Sequence, residues 1–227
     1  LPYFERFIAA FPTVRALAAA REDRVLKLWE GLGYYTRARN LHRAAKIVAS
    51  EYNGRFPATA VELQTLPGVG RYTANAIASI AFGERVPVLD GNVVRVLSRI
   101  YNIAGCTDDT KVREKLWDLA AGLVPATRPG DFNQAMMELG ARVCTPKSPH
   151  CDVCPVNKHC AARAAGVQAK RPVRKAKSAT PRYEMVAAAI KRNGRYLLAK
   201  RPSSGLLGGL WEFPSGKVRS GETHRRA

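Results

Sequence analysis

A chain of 227 residues, 46% of them apolar, can bury a proper core in one large domain or two small ones. It has no charged-then-apolar leader and no apolar run long enough to cross a bilayer, which excludes a membrane-spanning protein and implies a soluble, intracellular one. The formal net charge of +19 favours polyanionic partners, and 15 basic against 3 acidic side chains fall in residues 166–227, an excess that suits a nucleic-acid clamp and a solvated linker equally well.

Up to about residue 165 the pattern is helical, with no repeated period and no strand signal. Val25, Leu26, Leu28, Trp29 and Leu32 recur at helix-face spacing, with Asp23 as the expected cap and Gly31–Gly33 as the end. Leu41, Ala44, Ala45 and Val48 mark a second helix, closed by Gly54. Thr59 and Glu62 have capping-box spacing ahead of Leu63 and Leu66. Thr73–Phe82 reads as an apolar helix closed by Gly83. Further helices are predicted over Val93–Ile100, over Lys111–Leu123 after Asp109, and over Phe132–Val143 with Asp131 as cap. The segment 166–181 is basic, poor in large apolar residues and ended by Pro181, as an exposed linker would be. Beyond it, Met185–Ile190 and Tyr196–Lys200 flank Asn193–Gly194, the strongest local hairpin signal, so a β-containing module begins near Arg182.

Cys144, Cys151, Cys154 and Cys160 have the spacing C-x6-C-x2-C-x5-C. An intracellular chain has little use for disulfides, and four clustered thiolates suit a soft metal centre. Tetrahedral zinc and a [4Fe–4S] cluster compete. One close pair, with all four ligands in a single loop after a helix, favours the cluster. Cys106 stands apart and reads as an ordinary residue. Beside the loop, Lys147, His150, Lys158 and His159 are candidates to contact phosphates or simply solvated side chains.

Leu66, Pro67, Gly68, Val69 and Gly70 lie between two predicted helices and directly before Arg71. Glycines let backbone N–H groups approach a phosphate, and the N-terminus of the next helix favours negative charge. Taken alone, such a turn is more often just a tight connection. About twenty residues on, Asp90 stands between an apolar run and a helix. There it serves as an N-cap, or as a carboxylate that stabilises positive charge on a deoxyribose whose base departs.

Hairpin, aspartate and cysteine loop, in this order, resemble the helix-hairpin-helix DNA glycosylases with a GPD motif, a group that includes endonuclease III and MutY. The MutY branch is the closer match, through Pro2–Phe7 (PYFERF), Leu28–His42 (LWEGLGYYTRARNLH), Leu66–Gly83 (LPGVGRYTANAIASIAFG), Leu89–Arg99 (LDGNVVRVLSR) and Phe132–Cys144 (FNQAMMELGARVC). The resemblance implies a mainly α fold, with a helical domain bearing the hairpin (1–84), a helical [4Fe–4S] domain (85–165), a basic linker (166–181) and the start of a Nudix-like module that recognises 8-oxoguanine (182–227). It implies a base-excision glycosylase that removes adenine opposite 8-oxoguanine or guanine in double-stranded DNA. It also implies a monomer without membrane partners, cytoplasmic and associated with the bacterial nucleoid.

Residue by residue, the resemblance assigns Asp90 to oxocarbenium stabilisation with Tyr72 and Asn92 in support. Leu66, Gly68, Val69, Gly70, Arg71 and Lys147 fall to the DNA backbone, Tyr34 to a wedge in the duplex, and Cys144, Cys151, Cys154 and Cys160 to the cluster. Lyase-active relatives carry a lysine at the position of Tyr72, so a monofunctional enzyme is implied over an endonuclease III-like bifunctional one. In the family, PYFERF follows a helix bearing a general-acid glutamate, and this sequence begins at Leu1–Pro2. Glu5 matches a non-catalytic position. The expectation is therefore DNA binding without efficient excision, or a non-catalytic DNA-binding fragment. Gly216 and Glu222 match the opening of a Nudix box, and no pyrophosphatase activity is expected.

Overall fold

The structure, a computed structural model, describes residues 2–176, 179–202, 205, 207–219 and 221–224. Leu206 of the Nudix-like opening, and Lys177 and Ser178 of the basic segment, lie outside the described residues. The chain forms two compact units, one of Leu1–Ala10, Ala20–Arg39 and Lys177–Ala227, the other of Phe11–Ala19 and Asn40–Ala176.

Ten α-helices are described: α1 (Pro2–Ala10), α2 (Val14–Ala19), α3 (Glu22–Leu28), α4 (Thr36–Glu51), α5 (Ala60–Leu63), α6 (Arg71–Phe82), α7 (Gly91–Ile100), α8 (Thr110–Leu123), α9 (Pro129–Glu138) and α10 (Ala161–Ala164). The predicted capping box is present: the Thr59 hydroxyl accepts from the Glu62 N–H, and the Glu62 carboxylate accepts from the Thr59 N–H. Gly83 ends α6 in a left-handed conformation. Two expected caps are displaced. Asp23 lies inside the first turn of α3, which Arg21 precedes without a side-chain cap. Asp131 lies inside the first turn of α9, because Pro129 starts that helix two residues earlier and Asp131 instead accepts from the Arg128 Nε at 2.5 Å. The single helix expected over Phe132–Val143 changes at Leu139 into a π-turn that delivers Cys144, whose N–H donates to the Leu139 carbonyl at 2.7 Å.

Two apolar clusters build the larger unit. Ala44, Val48, Leu63, Leu66, Ala74 and Ala78 join α4, α5 and α6. Val88, Leu89, Val93, Val94, Leu97, Leu116 and Trp117 join α7 and α8 to the strand-like run before Asp90. The basic segment after residue 165 is not free at its start. The Val173 carbonyl accepts from the Thr107 N–H and hydroxyl, and the Arg171 guanidinium donates to Asn102.

All described strands follow residue 184 and pair antiparallel in twos: β1 (Met185–Ala187) with β6 (Ser215–Lys217), β2 (Lys191–Arg192) with β3 (Arg195–Tyr196), and β4 (Ala199–Lys200) with β5 (Trp211–Glu212). The β2–β3 connection is the predicted Asn193–Gly194 turn, with φ of 49° and 76° as a type I′ hairpin needs. Among the described residues no helix is long and apolar enough to cross a membrane.

Candidate active site

The turn between α5 and α6 separates glycine required by the fold from glycine left free by it. Leu66 is 3% exposed and Val69 packs beside it, so their side chains belong to the core. Gly68 sits at φ +76°, and a Cβ there would fall 2.6 Å from the Asn40 side chain. Gly70 is extended, caps α6, and a Cβ there would meet nothing within 4 Å. Among the described residues neither glycine N–H donates to a protein acceptor. The result is an open cradle of N–H donors at the positive end of a helix, suited to a phosphate.

A pair of substitutions separates the two roles. Gly68→Ala should lower stability by at least about 1 kcal/mol, because alanine is strained at positive φ. Gly70→Ala should cost only about 0.5 kcal/mol of stability, as a poorer N-cap, but weaken duplex binding about tenfold, because its Cβ would stand where the phosphate approaches the N–H donors and cost about one charge-assisted hydrogen bond. Denaturant titration and fluorescence anisotropy read the two effects, and undiminished affinity in Gly70→Ala would count against the cradle. Arg71, expected at the DNA backbone, is held against α8 in this structure. Its Nη1 donates to Glu114 at 2.9 Å, and its guanidinium stacks 4.1 Å over the Trp117 ring.

Asp90, Asn92 and Tyr72 come together. Asp90 N-caps α7 through Oδ1, which accepts from the Val93 N–H at 2.7 Å, while Oδ2 accepts from the Asn92 amide at 2.9 Å. The capping reading of Asp90 is observed, and its second oxygen leaves a carboxylate at a half-buried site. Partial burial, and then the Asp90 charge, hold the Tyr72 phenol above its ordinary value. Tyr72 thus stays neutral through the physiological range, and its hydroxyl lies 3.6 Å from the Met137 sulfur. Among the described residues, the hydrogen-bond partners of these three include neither a second carboxylate nor a lysine amine.

Sequence reasoning missed Arg95, 7% exposed on the same helix. Its guanidinium donates to the Asn92 Oδ1 (2.8 Å), the Gly140 carbonyl (2.5 Å), the Cys144 carbonyl (2.7 Å) and the Gly91 carbonyl (3.3 Å). Burial lowers its basicity; Cys144 and Asp90 oppose that, while Arg99 and Arg174 add to it. The π-turn makes this approach possible: a Cβ on Gly140 would lie 2.6 Å from that of Asn92. The carboxylate, Asn92, Arg95 and the first cysteine of the loop are thereby one hydrogen-bonded chain. The available sequence signal was two arginines one turn apart in the apolar run VVRVLSR.

All four expected ligand cysteines are unpaired and partly buried, and they line a single pocket. Burial, then the neighbouring Cys144 and Cys160, raise the Cys151 thiol, with Arg163 acting the other way. Four thiolates would repel one another here without a cationic centre among them. Among the described residues no three Cys, His, Asp or Glu side chains converge as ligands of one ion would, so the ring suits a polynuclear iron–sulfur centre better than one zinc. Lys147 is exposed on this loop, and its carbonyl accepts from the Thr145 hydroxyl. Cys106, by contrast, lies at a bridge to Val173, away from the ring.

Tyr34 lies in the other unit. It is 82% exposed with φ 49°, so a core position is ruled out, and the Arg37 guanidinium sits 5.6 Å from its ring. The turn that carries it is pinned by the Trp29 indole N–H, which donates to the Gly33 carbonyl at 3.0 Å.

Comparison with known proteins agrees with this geometry. The profile of the HhH-GPD superfamily of base excision DNA repair proteins matches residues 1–121, that of the iron-sulfur binding domain of endonuclease III matches residues 144–160, and that of the NUDIX domain matches residues 185–227. The segment Cys144–Cys160 is therefore a [4Fe–4S]-binding loop. The chain is 43% identical to the adenine DNA glycosylase of Homo sapiens over 94% of its own length and 47% of that protein. It is 38% identical to that of Buchnera aphidicola subsp. Acyrthosiphon pisum over 96% of its length and 62% of that protein. It spans about half the length of the curated relatives it matches. Among solved structures it resembles a thermostable thymine-DNA glycosylase (TM-score 0.65, 28% identity, 72% of this chain and 76% of that one). It likewise resembles endonuclease III in a non-covalent DNA complex (TM-score 0.62, 28% identity, 75% of this chain and 76% of that one). By the match over more than half its length, this chain belongs to the HhH-GPD superfamily of base excision DNA repair proteins.

Proposed function

We propose that this chain supplies the duplex-engaging and sugar-stabilising parts of a monofunctional adenine DNA glycosylase, which hydrolyses the N-glycosidic bond of adenine opposite 8-oxoguanine or guanine. The observation that carries the reading is Tyr72 beside Asp90: a carboxylate able to stabilise an oxocarbenium ion, next to a neutral phenol where a Schiff-base lyase needs an amine. The adenine DNA glycosylase relatives support the choice of base. In this reading the Gly68 and Gly70 N–H groups, with Lys147, hold the DNA backbone, and exposed Tyr34 enters the duplex where the base leaves.

The test is a single-turnover incubation with an 8-oxoguanine:adenine duplex, divided between alkali and borohydride quenches. The expected product is a strand cleaved by alkali alone, with no protein–DNA adduct after borohydride. An adduct would favour the endonuclease III-like bifunctional reading. No cleaved strand under either quench, with the duplex still bound, would leave a non-catalytic DNA-binding protein.

A further inference from the structure

Arg99 is the largest of the fully buried side chains among the described residues, at 2% exposure. Its Nε donates to the carbonyls of Gln168 (2.9 Å) and Arg171 (3.2 Å), Nη1 to the Thr145 carbonyl (2.8 Å) and Cys144 Sγ (3.3 Å), and Nη2 to the Pro146 carbonyl (3.3 Å). Its own carbonyl lies 3.4 Å from Cys160 Sγ. One residue of α7 therefore touches the first and last cysteines of the loop and also ties the chain beyond α10 back onto it. Among the described residues none of its hydrogen-bond partners is a carboxylate. A buried guanidinium surrounded only by carbonyl dipoles is strongly unfavourable, and the one partner able to carry negative charge is a cluster ligand.

We propose that Arg99 is the positioning residue of the iron–sulfur loop: its buried guanidinium is the counter-charge of the thiolate-held centre, and it sets both the retention of that centre and its reduction potential. The inference rests on Cys144, Cys151, Cys154 and Cys160 being the ligands. Hydrogen bonds to ligand sulfurs and nearby charge are the levers by which a protein moves such potentials. A cation at Cys144 Sγ favours the reduced, more negative form, so its removal makes reduction harder. Lysine keeps the charge and loses the planar fork; glutamine keeps a donor and loses the charge.

The test compares the full chain with Arg99→Gln and Arg99→Lys, measuring iron and sulfide per chain, the rate of iron loss to a chelator, and the reduction potential by voltammetry. Arg99→Gln should lose iron at least about tenfold faster than wild type and have a more negative potential; Arg99→Lys should keep the wild-type potential. Equal potentials in wild type and Arg99→Gln, or the same negative shift in both variants, would overturn the proposal. Where Arg99→Gln does not fold, Arg99→Lys decides alone: a wild-type potential supports the proposal and a negative shift overturns it. A wild-type chain that holds no iron would overturn the ligand assignment and this proposal with it, which is distinct from a loaded wild type with indifferent variants.

Discussion

Asp90→Asn should slow adenine release about 10³-fold, the upper end of what loss of one preorganised charge-stabilising group costs, while lowering stability by only about 1 kcal/mol. The two effects separate because, in the proposed assignment, Asp90 uses one oxygen to cap the helix and the other to face the sugar. Asparagine is as good an N-cap as aspartate, so the acceptor for the Val93 N–H survives. The other oxygen does not survive as an acceptor. Arg95 donates to Asn92 Oδ1, which fixes the Asn92 amide with its NH2 toward residue 90, and the new amide meets it donor to donor. Asp90→Ala should match Asp90→Asn in rate but cost about 2 kcal/mol, since the cap is lost as well. Single-turnover kinetics and denaturant titration read the two axes independently. An asparagine variant that works at the wild-type rate would leave Asp90 as a helix cap and nothing more.

Arg95→Met should cost about 3 kcal/mol, within the range for removing one member of a buried charged network. Methionine fills much of the volume but leaves the Asn92, Gly140 and Cys144 acceptors without a donor. The loss should also reach the loop, because the Cys144 carbonyl is held by this guanidinium and the Cys144 N–H by the π-turn behind it. Denaturation midpoints and iron content should therefore fall together. A loss below about 1 kcal/mol with full iron content would mean that water or neighbouring side chains satisfy those acceptors instead.

Local chemistry was legible in the sequence wherever one or two residues decide the backbone. Thr59 and Glu62 close a capping box, Gly83 ends a helix, and Asn193–Gly194 turns a hairpin, each as its dipeptide or spacing predicts. The four cysteines announce a metal loop because thiolates so close together have few other uses. Asp23 and Asp131 fail as caps for a definite reason: a carboxylate in the first turn is as favourable as one at the cap, and the sequence leaves the starting residue open. At Asp131 the deciding signal, Pro129 at the first helical position, was present and outweighed by the aspartate. Arg95 and Arg99 were not legible, since a basic residue in a helical run defaults to the solvent face. Only the fold shows that carbonyls of the π-turn and of the cysteine loop converge on that face of α7. The docking of residues 168–173 follows from the same convergence and carries no local signal at all.

The central claim is that Asp90 meets a positive sugar, and one affinity ratio tests it without requiring protonation of the base. Two duplexes carry, opposite 8-oxoguanine, either a pyrrolidine nucleotide analogue that is cationic at neutral pH or its uncharged tetrahydrofuran counterpart. Wild-type protein should prefer the cation about 10²-fold, the lower end of the preference for transition-state mimics, and Asp90→Asn should bind the two alike. Equal binding of both by wild type, or a preference that survives in Asp90→Asn, would contradict the assignment.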